Sequence, residues 1–448
     1  EIMENGLRVP DDVTIVWCDD NYGYMKRVSN DAEQARSGGS GVYYHLSYCG
    51  VPHDNLWIST TAPMLMYEEL LKAYNAGADR YWLLNVGDIK PMEIETQMFF
   101  DMAWDFGSFS YANANARQAR WLASVFGEDF EGDFQYILDN YYRLAWDRKP
   151  EFMGYEMEWD TPEYSRLYDS GFSFEDGSAQ KRLVEYQNIC FAYEALEAAV
   201  MPALRPALFE MLGYSVLSSY QMNRKYLYAQ ANHETGLRTY SKVSIDADSE
   251  IESLLDRYNG LLDGKWNGMM SEVPPGYTAL YHLMPEYVDE PTDRFRLPDE
   301  QRHPSFLHKV DMASLEVAAP FRMLEGIGTD WRALQMGEPL DFSACGDIDI
   351  VIPSEKLSGD EVKVCIAVVP LWPVAKDRSN RFAVSFDGGG AVVCENLFQE
   401  WGREWKIQVL ENSKEFILSF PVDRSLAEHR LTLSIVDPGQ IVQKITFE

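Results

Sequence analysis

Asp19, Asp20, Asn21 and Tyr22 form one polar cluster of this sequence, His45, Tyr48 and His53 a second, and Asn85, Asp88, Lys90 and Glu93 a third. Carboxylates held in pairs suit general acid–base hydrolysis, in which one carboxylic acid protonates a leaving oxygen while a second carboxylate deprotonates a water. Each residue also has a plainer use. Consecutive residues after a strand point in different directions, so at most one of Asp19 and Asp20 is expected to face a substrate while the other caps the next segment. His45, set among Tyr43, Tyr44 and Leu46, also reads as a core histidine donating to a backbone carbonyl. Asn85 and Asp88 fit an Asx-type turn. Lys90 and Arg27 suit an anionic group or a solvated ion pair.

These clusters follow segments of one repeated pattern. Residues 13–18 (VTIVWC), 42–48 (VYYHLSY) and 80–85 (RYWLLN) read as strands, the first continuously apolar as in a strand buried on both faces. Helices are expected from Lys26 to Arg36 and from Leu65 to Ala76, the second closed by Gly77. Strands alternating with helices imply a parallel sheet, and such sheets, open or closed into barrels, gather functional residues just past the C-terminal strand ends. All three clusters occupy that place and should converge on one rim. The GGSG at 38–41 precedes a strand instead of following one, which argues against a phosphate cradle and nucleotide chemistry.

Further helices at 93–106, 112–126, 130–146, 177–204 and 206–231 read as an antiparallel bundle with aromatic and Met stripes as its core, and they hold no Glu-x-x-His pair for a di-iron site. Short β segments at 348–352, 362–369, 381–386, 405–410, 416–420 and 431–435 follow, the pattern of an antiparallel β-sandwich in which Trp372, Trp401 and Trp405 are core or sugar-binding. The 448 residues carry 39 Lys+Arg against 71 Asp+Glu, a net charge of −32 that repels nucleic acid and anionic membrane surfaces. Aromatic residues at 13% beside that acidity fit a protein that stacks rings on a polar, uncharged polymer such as a polysaccharide, or a large aromatic core. The six cysteines form no C-x-x-C pair, so neither a zinc site nor a disulfide framework is signalled, and most are expected to be buried. EIMENGL reads as the end of a helix closed by Gly6, as expected of the C-terminal part of something longer.

Three ordered motifs, Trp17-Cys-Asp-Asp-Asn-Tyr-Gly-Tyr24, Gly41-Val-Tyr-Tyr-His-Leu-Ser-Tyr48 with Pro52-His-Asp-Asn-Leu-Trp57, and Asn85-Val-Gly-Asp-Ile-Lys-Pro-Met-Glu93, resemble glycoside hydrolase family 115, the xylan α-1,2-glucuronidases. The resemblance implies an inverting, exo-acting enzyme without a cofactor. Such an enzyme removes glucuronic acid or its 4-O-methyl ether from glucuronoxylan or glucurono-xylooligosaccharides. It also implies a multidomain α/β, all-α and all-β chain: 1–110 the C-terminal part of a (β/α)8 TIM-like barrel, 111–265 a helical bundle, 266–302 a connecting stretch and 303–448 a β-sandwich accessory domain. Carried over residue by residue, Asp20 is the catalytic carboxylate and acid with Asp19 its alternate, and Asn85, Asp88 and Glu93 are base or positioning residues. Asn21, Tyr22, His45, Tyr48, His53 and Lys90 would surround the uronate. A homodimer and a periplasmic or secreted location are expected from the family and from where xylan lies. Two other readings stand beside this one: a non-catalytic glycan-binding protein, and a barrel glycosidase for another uronosyl or hexosaminyl linkage.

Overall fold

The computed structural model describes residues 6–154, 167, 169–270, 284–296, 306–375 and 378–448. The expected helix end before Gly6 and most of the connection at 266–302 lie outside the described residues. Strands β1 (Ile15–Cys18), β2 (Ser40–His45) and β3 (Tyr81–Asn85) form a parallel sheet in the order β1-β2-β3, with Cys18 opposite Tyr43 and His45 opposite Asn85. This register brings the C-terminal ends of the three strands to one edge, and with them Asp19, His45 and Asn85. The expectation of a first strand covered on both faces is corrected: Trp17 is buried in the core that the following helices build, whereas Val16 and Cys18 on the other side are exposed.

Helix α1 (Asp31–Gln34) is a single turn where a longer helix from Lys26 to Arg36 was expected. Asn30 sets its start through a capping box, its side chain accepting from the Glu33 amide while Glu33 accepts from the Asn30 amide. The residues before it lie along Trp17, whose indole donates to Ser29 Oγ at 2.8 Å and whose ring carries the Arg27 guanidinium. Helix α2 (Pro63–Asn75) is buried from Pro63 to Ala73, Glu68, Glu69 and Lys72 included.

Helices α3 (Glu93–Trp104), α4 (Arg117–Phe126), α5 (Glu131–Asp147), α6 (Ser178–Ala199), α7 (Arg205–Leu208), α8 (Tyr214–Thr235) and α9 (Arg238–Gly264) follow, with a π-helical turn at Phe209–Gly213 joining α7 to α8. One apolar core runs from Trp17 and Val42 through Leu122, Tyr193 and Tyr226 to Leu324 and Ile441.

The C-terminal region consists of β4 (His308–Lys309), β5 (Phe321–Glu325), β6 (Arg332–Met336), β7 (Asp347–Pro353), β8 (Glu361–Val368), β9 (Arg381–Phe386), β10 (Val392–Glu395), α10 (Arg403–Glu411), β11 (Lys414–Pro421), β12 (Glu428–Ile435) and β13 (Gln440–Phe447). They form antiparallel sheets in the orders β10-β9-β12-β7 and β11-β8-β13-β6-β5, with β4 beside β13. Ile348, Ile350, Phe382, Val384, Leu431 and Leu433 of the first sheet share a core with Val362, Val364, Ile366, Val442 and Ile445 of the second. The segment 405–410, expected as a strand, is helical instead. Its buried Trp405, Gln408 and Val409 recur at helical spacing, a stripe that the alternation of WKIQVL conceals. None of the six cysteines is in a disulfide, and three of them, Cys190, Cys365 and Cys394, are buried.

Candidate active site at the strand ends

The turn after β1 is held by two carboxylates with different tasks. Asp19, 0% exposed, accepts the Asn21 and Gly23 amides at 3.0 and 3.2 Å, the His45 amide at 2.8 Å and the His45 ring, whose Nδ1 lies 2.5 Å from Oδ1. A carboxylate on Nδ1 fixes the ring and leaves Nε2 for other partners. His45 is 5% exposed at the end of β2, so the core-histidine alternative is corrected in its partner: the ring meets a carboxylate, not a backbone carbonyl. Gly23 closes the turn at φ +92°, where a Cβ would sit 2.8 Å from the Tyr44 hydroxyl.

Asp20, 2% exposed, accepts the Tyr22 and Tyr24 amides on Oδ1 at 3.0 and 3.2 Å, and the indole N–H groups of Trp372 and Trp405 on Oδ2 at 3.1 and 3.2 Å. Burial, with Asp19 beside it, pushes its carboxyl up to about 7, against the pull of those N–H donors. Both aspartates therefore have both oxygens engaged within the protein, and neither turns an uncommitted oxygen to solvent.

Around His45 stand Tyr43, with ring centroids 4.4 Å apart, and Tyr48, edge-on at 5.9 Å. Asn85 donates to the Tyr43 hydroxyl at 2.7 Å and accepts the Gly87 amide at 3.1 Å, an Asx turn at the end of β3. Tyr48 meets Tyr22 edge-on at 5.6 Å, and the Tyr22 hydroxyl donates to the His53 carbonyl at 2.7 Å. Asn21, at φ +77°, lies at the outer side of this turn, and Asp88 is exposed on the loop after β3.

Three of the expected residues, Lys90, Glu93 and His53, are committed elsewhere. Lys90 lies between Glu93, at 2.5 Å, and Glu210, over the Trp266 ring at 4.3 Å. Burial and the Glu210 carboxylate push Glu93 up to about 8. His53 is fully buried against Phe152, with centroids 5.2 Å apart, and desolvation lowers its ring to about 3, so it stays neutral. Tyr43, expected only as part of a strand, and Trp372 and Trp405, expected as core or sugar-binding, join the site; the period-2 pattern of β2 places Tyr43 and His45 on one face.

A cavity of about 830 Å³ lies apart from this rim, lined by Tyr111, Asn115, Gln135, Asp139, Arg322 and neighbours. Its polar groups are spent on one another: Asp139 Oδ1 accepts from Asn115, Gln135 and Trp331 at 2.8, 2.9 and 2.7 Å, and Arg322 lies over the Tyr111 ring. Among the described residues no group of three or more His, Cys, Asp or Glu could hold a metal ion, and no helix is long and apolar enough to cross a membrane.

Residues 1–152 match the family model described as glycosyl hydrolase family 115. The chain is similar over its full length to a solved structure of a family GH115 4-O-methyl-α-glucuronidase, BtGH115A, with specificity for decorated arabinogalactans. The identity is 32% and the TM-score 0.88, and the match covers 100% of this chain and 56% of that one. This chain thus spans little more than half of that protein's length. An exo-β-1,3-galactanase from Phanerochaete chrysosporium matches 29% of this chain and 26% of its own at 12% identity and a TM-score of 0.20, and bears on neither fold nor site. No curated protein sequence matches.

Proposed function

We propose that the protein, whose residues 1–152 match the model of glycosyl hydrolase family 115, is an α-glucuronidase, a glycoside hydrolase that releases glucuronic acid or its 4-O-methyl ether from a decorated glycan. The observation that carries the reading is the Asp19–His45 pair at the ends of β1 and β2, set beside Tyr43, Tyr48 and Asn85 in a chain similar from end to end to a 4-O-methyl-α-glucuronidase.

The roles follow from which atoms are uncommitted. Asp19 and Asp20 have both oxygens filled by N–H groups, so we assign neither to proton transfer: Asp19 positions His45, and Asp20 anchors the turn. Asp88, exposed on the loop after β3, is the carboxylate assigned to acid–base transfer. A uronate is anionic, and at a net charge of −32 the protein must receive it through local donors. Lys26, Arg27 and Lys90 are each paired with a carboxylate, Glu400, Glu33 and Glu93 respectively. That leaves the His45 ring and the Tyr48 hydroxyl to meet the sugar. An inverting, exo-acting course is supported by the motif resemblance.

Glucuronoxylan is the main chain that the motifs suggest, and a decorated arabinogalactan is the one named for the similar structure. Both would present a terminal uronosyl group to the rim, and both are polymers found outside the cell, which supports a periplasmic or secreted location. The test is to incubate the protein with each polymer and follow free uronic acid by NMR. Inversion at an α-linkage delivers the β-anomer first. Binding without free uronic acid favours the glycan-binding alternative.

A further inference from the structure

The C-terminal region reaches out of its own two-sheet core to strap the turn after β1. Trp372 and Trp405 donate to Asp20, the Tyr24 hydroxyl meets Asn412, Lys26 pairs with Glu400 at 2.7 Å, and the Val28 amide donates to the Val374 carbonyl at 3.4 Å. Trp405, Val409 and Leu410 of α10 share a separate apolar cluster with Tyr22 and Phe152, and the Tyr22 and Trp405 ring centroids are 6.1 Å apart. Residues more than 340 positions later in sequence than Asp20 therefore complete its hydrogen bonding.

We propose that Trp372 and Trp405 are positioning residues for the reaction at this rim, a proposal that rests on the function proposed above. Their indole N–H groups act through Asp20. One carboxylate oxygen of Asp20 is held by the two tryptophans, and the other holds the amides of Tyr22 and Tyr24, so the carboxylate is a bridge between the β region and the turn. The turn sets the Tyr22 ring, which stands edge-on to Tyr48, which stands edge-on to His45. A buried carboxylate oxygen stripped of both donors keeps its desolvation cost without compensation, and the bridge loosens at its inner end. The β region is on this account a working part of the site.

Phenylalanine deletes the N–H and keeps an aromatic ring at the cost of part of the indole's volume, so Trp372→Phe, Trp405→Phe and the double variant remove the hydrogen bonds with the least change of packing. With uronic acid release from the decorated glycan as the assay, the double variant should lose at least about 10-fold in kcat with KM within about threefold of wild type. Adding Asp20→Asn to it should cost less than about threefold more, because all three side chains act through one carboxylate. Amide hydrogen exchange gives a readout that needs no activity: Tyr22 and Tyr24 should exchange at least about 10-fold faster in the double variant while the amides of α5 and α8 are unchanged. Unchanged kcat, or an Asp20→Asn effect that multiplies in full, overturns the catalytic part of the proposal. Unchanged exchange at Tyr22 and Tyr24 overturns the strap. A wild-type protein that releases no uronic acid overturns the function proposed above and with it the catalytic consequence, while the exchange still decides the strap.

Discussion

Along the seam of α2, α3 and the turn after α5, buried carboxylates are closed off completely, whereas at the rim of β1 and β2 a buried carboxylate serves a side chain that is left with something to do. In the seam, Glu68 accepts from the Tyr111 hydroxyl at 2.6 Å and from Gln335 at 3.1 and 3.2 Å. Glu69 accepts from Lys72 and from the Met25 amide, both at 2.8 Å, and Glu95 from the Tyr142 hydroxyl. Glu151 accepts the successive amides of Leu56, Trp57 and Ile58. At the rim, Asp19 is as deeply buried, but one of its partners is a histidine whose second nitrogen has no hydrogen-bond partner among the described residues. Burial raises Glu68, Glu69, Glu95 and Glu151 in the seam as it raises Asp20 at the rim, so neither burial nor a displaced titration separates a structural carboxylate from a functional one here. What separates them is whether the partner keeps an atom free for a substrate.

The sharpest way to break the contrast is at His45. His45→Gln should lower kcat for uronic acid release by about 10³-fold with the folded structure retained, because the Asp19 anchor keeps an N–H partner while the imidazole is lost. A melting temperature close to wild type beside that loss is the expected pattern. Asp88→Asn should follow with a loss of about 10²-fold in kcat, and being exposed it should leave stability untouched. The seam should respond in the opposite way. Glu151→Ala orphans three amides that are packed away from water and should cost about 3 kcal/mol of stability in denaturant unfolding, with kcat per folded molecule unchanged.

A further effect is one of pH, and it has opposite signs in the two regions. Glu151 titrates at about 7 when folded and near the ordinary carboxylate value of about 4.3 when unfolded, so between these values the folded protein holds a proton that the unfolded chain has released. Its contribution to stability is therefore full below about pH 4 and falls as pH rises toward 7. His53, beside the rim, titrates at about 3 when folded against about 6.5 unfolded, so its contribution is full above pH 6.5 and is lost as pH falls. Melting wild type, Glu151→Gln and His53→Gln across pH 4–8 should show each variant missing the slope of its own group. A wild-type slope in either variant would remove that group from the account.

Much of this was readable in the sequence where the pattern is local. The three parallel strands, α2, α3 and α5, and β7, β8, β9 and β12 begin and end within a few residues of where periodicity puts them, and Asp19, His45 and Asn85 at the strand ends lie at one edge, whereas His53, Lys90 and Glu93 find their partners away from it. Long-range partners were not readable. Nothing in Trp17-Cys-Asp-Asp discloses that Asp20 is served by Trp372 and Trp405, nor that Lys90 is drawn to Glu210. Strand β13 escaped notice because Gln440 and Gln443 are buried in it, donating to backbone carbonyls, and interrupt its apolar run. Helix α10 was read as a strand because Trp405-Lys-Ile-Gln-Val-Leu410 alternates, although Gly402 before it and Asn412 after it, in the left-handed region at φ +54°, are helix-end signals.

Under the proposed function, the rim around His45 removes a terminal uronosyl group. This is tested most directly by time-resolved NMR of glucuronoxylan and of glucuronic-acid-decorated arabinogalactan incubated with the wild-type protein and with His45→Gln. The account predicts free glucuronic acid or its 4-O-methyl ether from at least one polymer, the β-anomer first, and about 10³-fold less from the variant. Binding of both polymers with no uronic acid released, or equal release by wild type and His45→Gln, would contradict it.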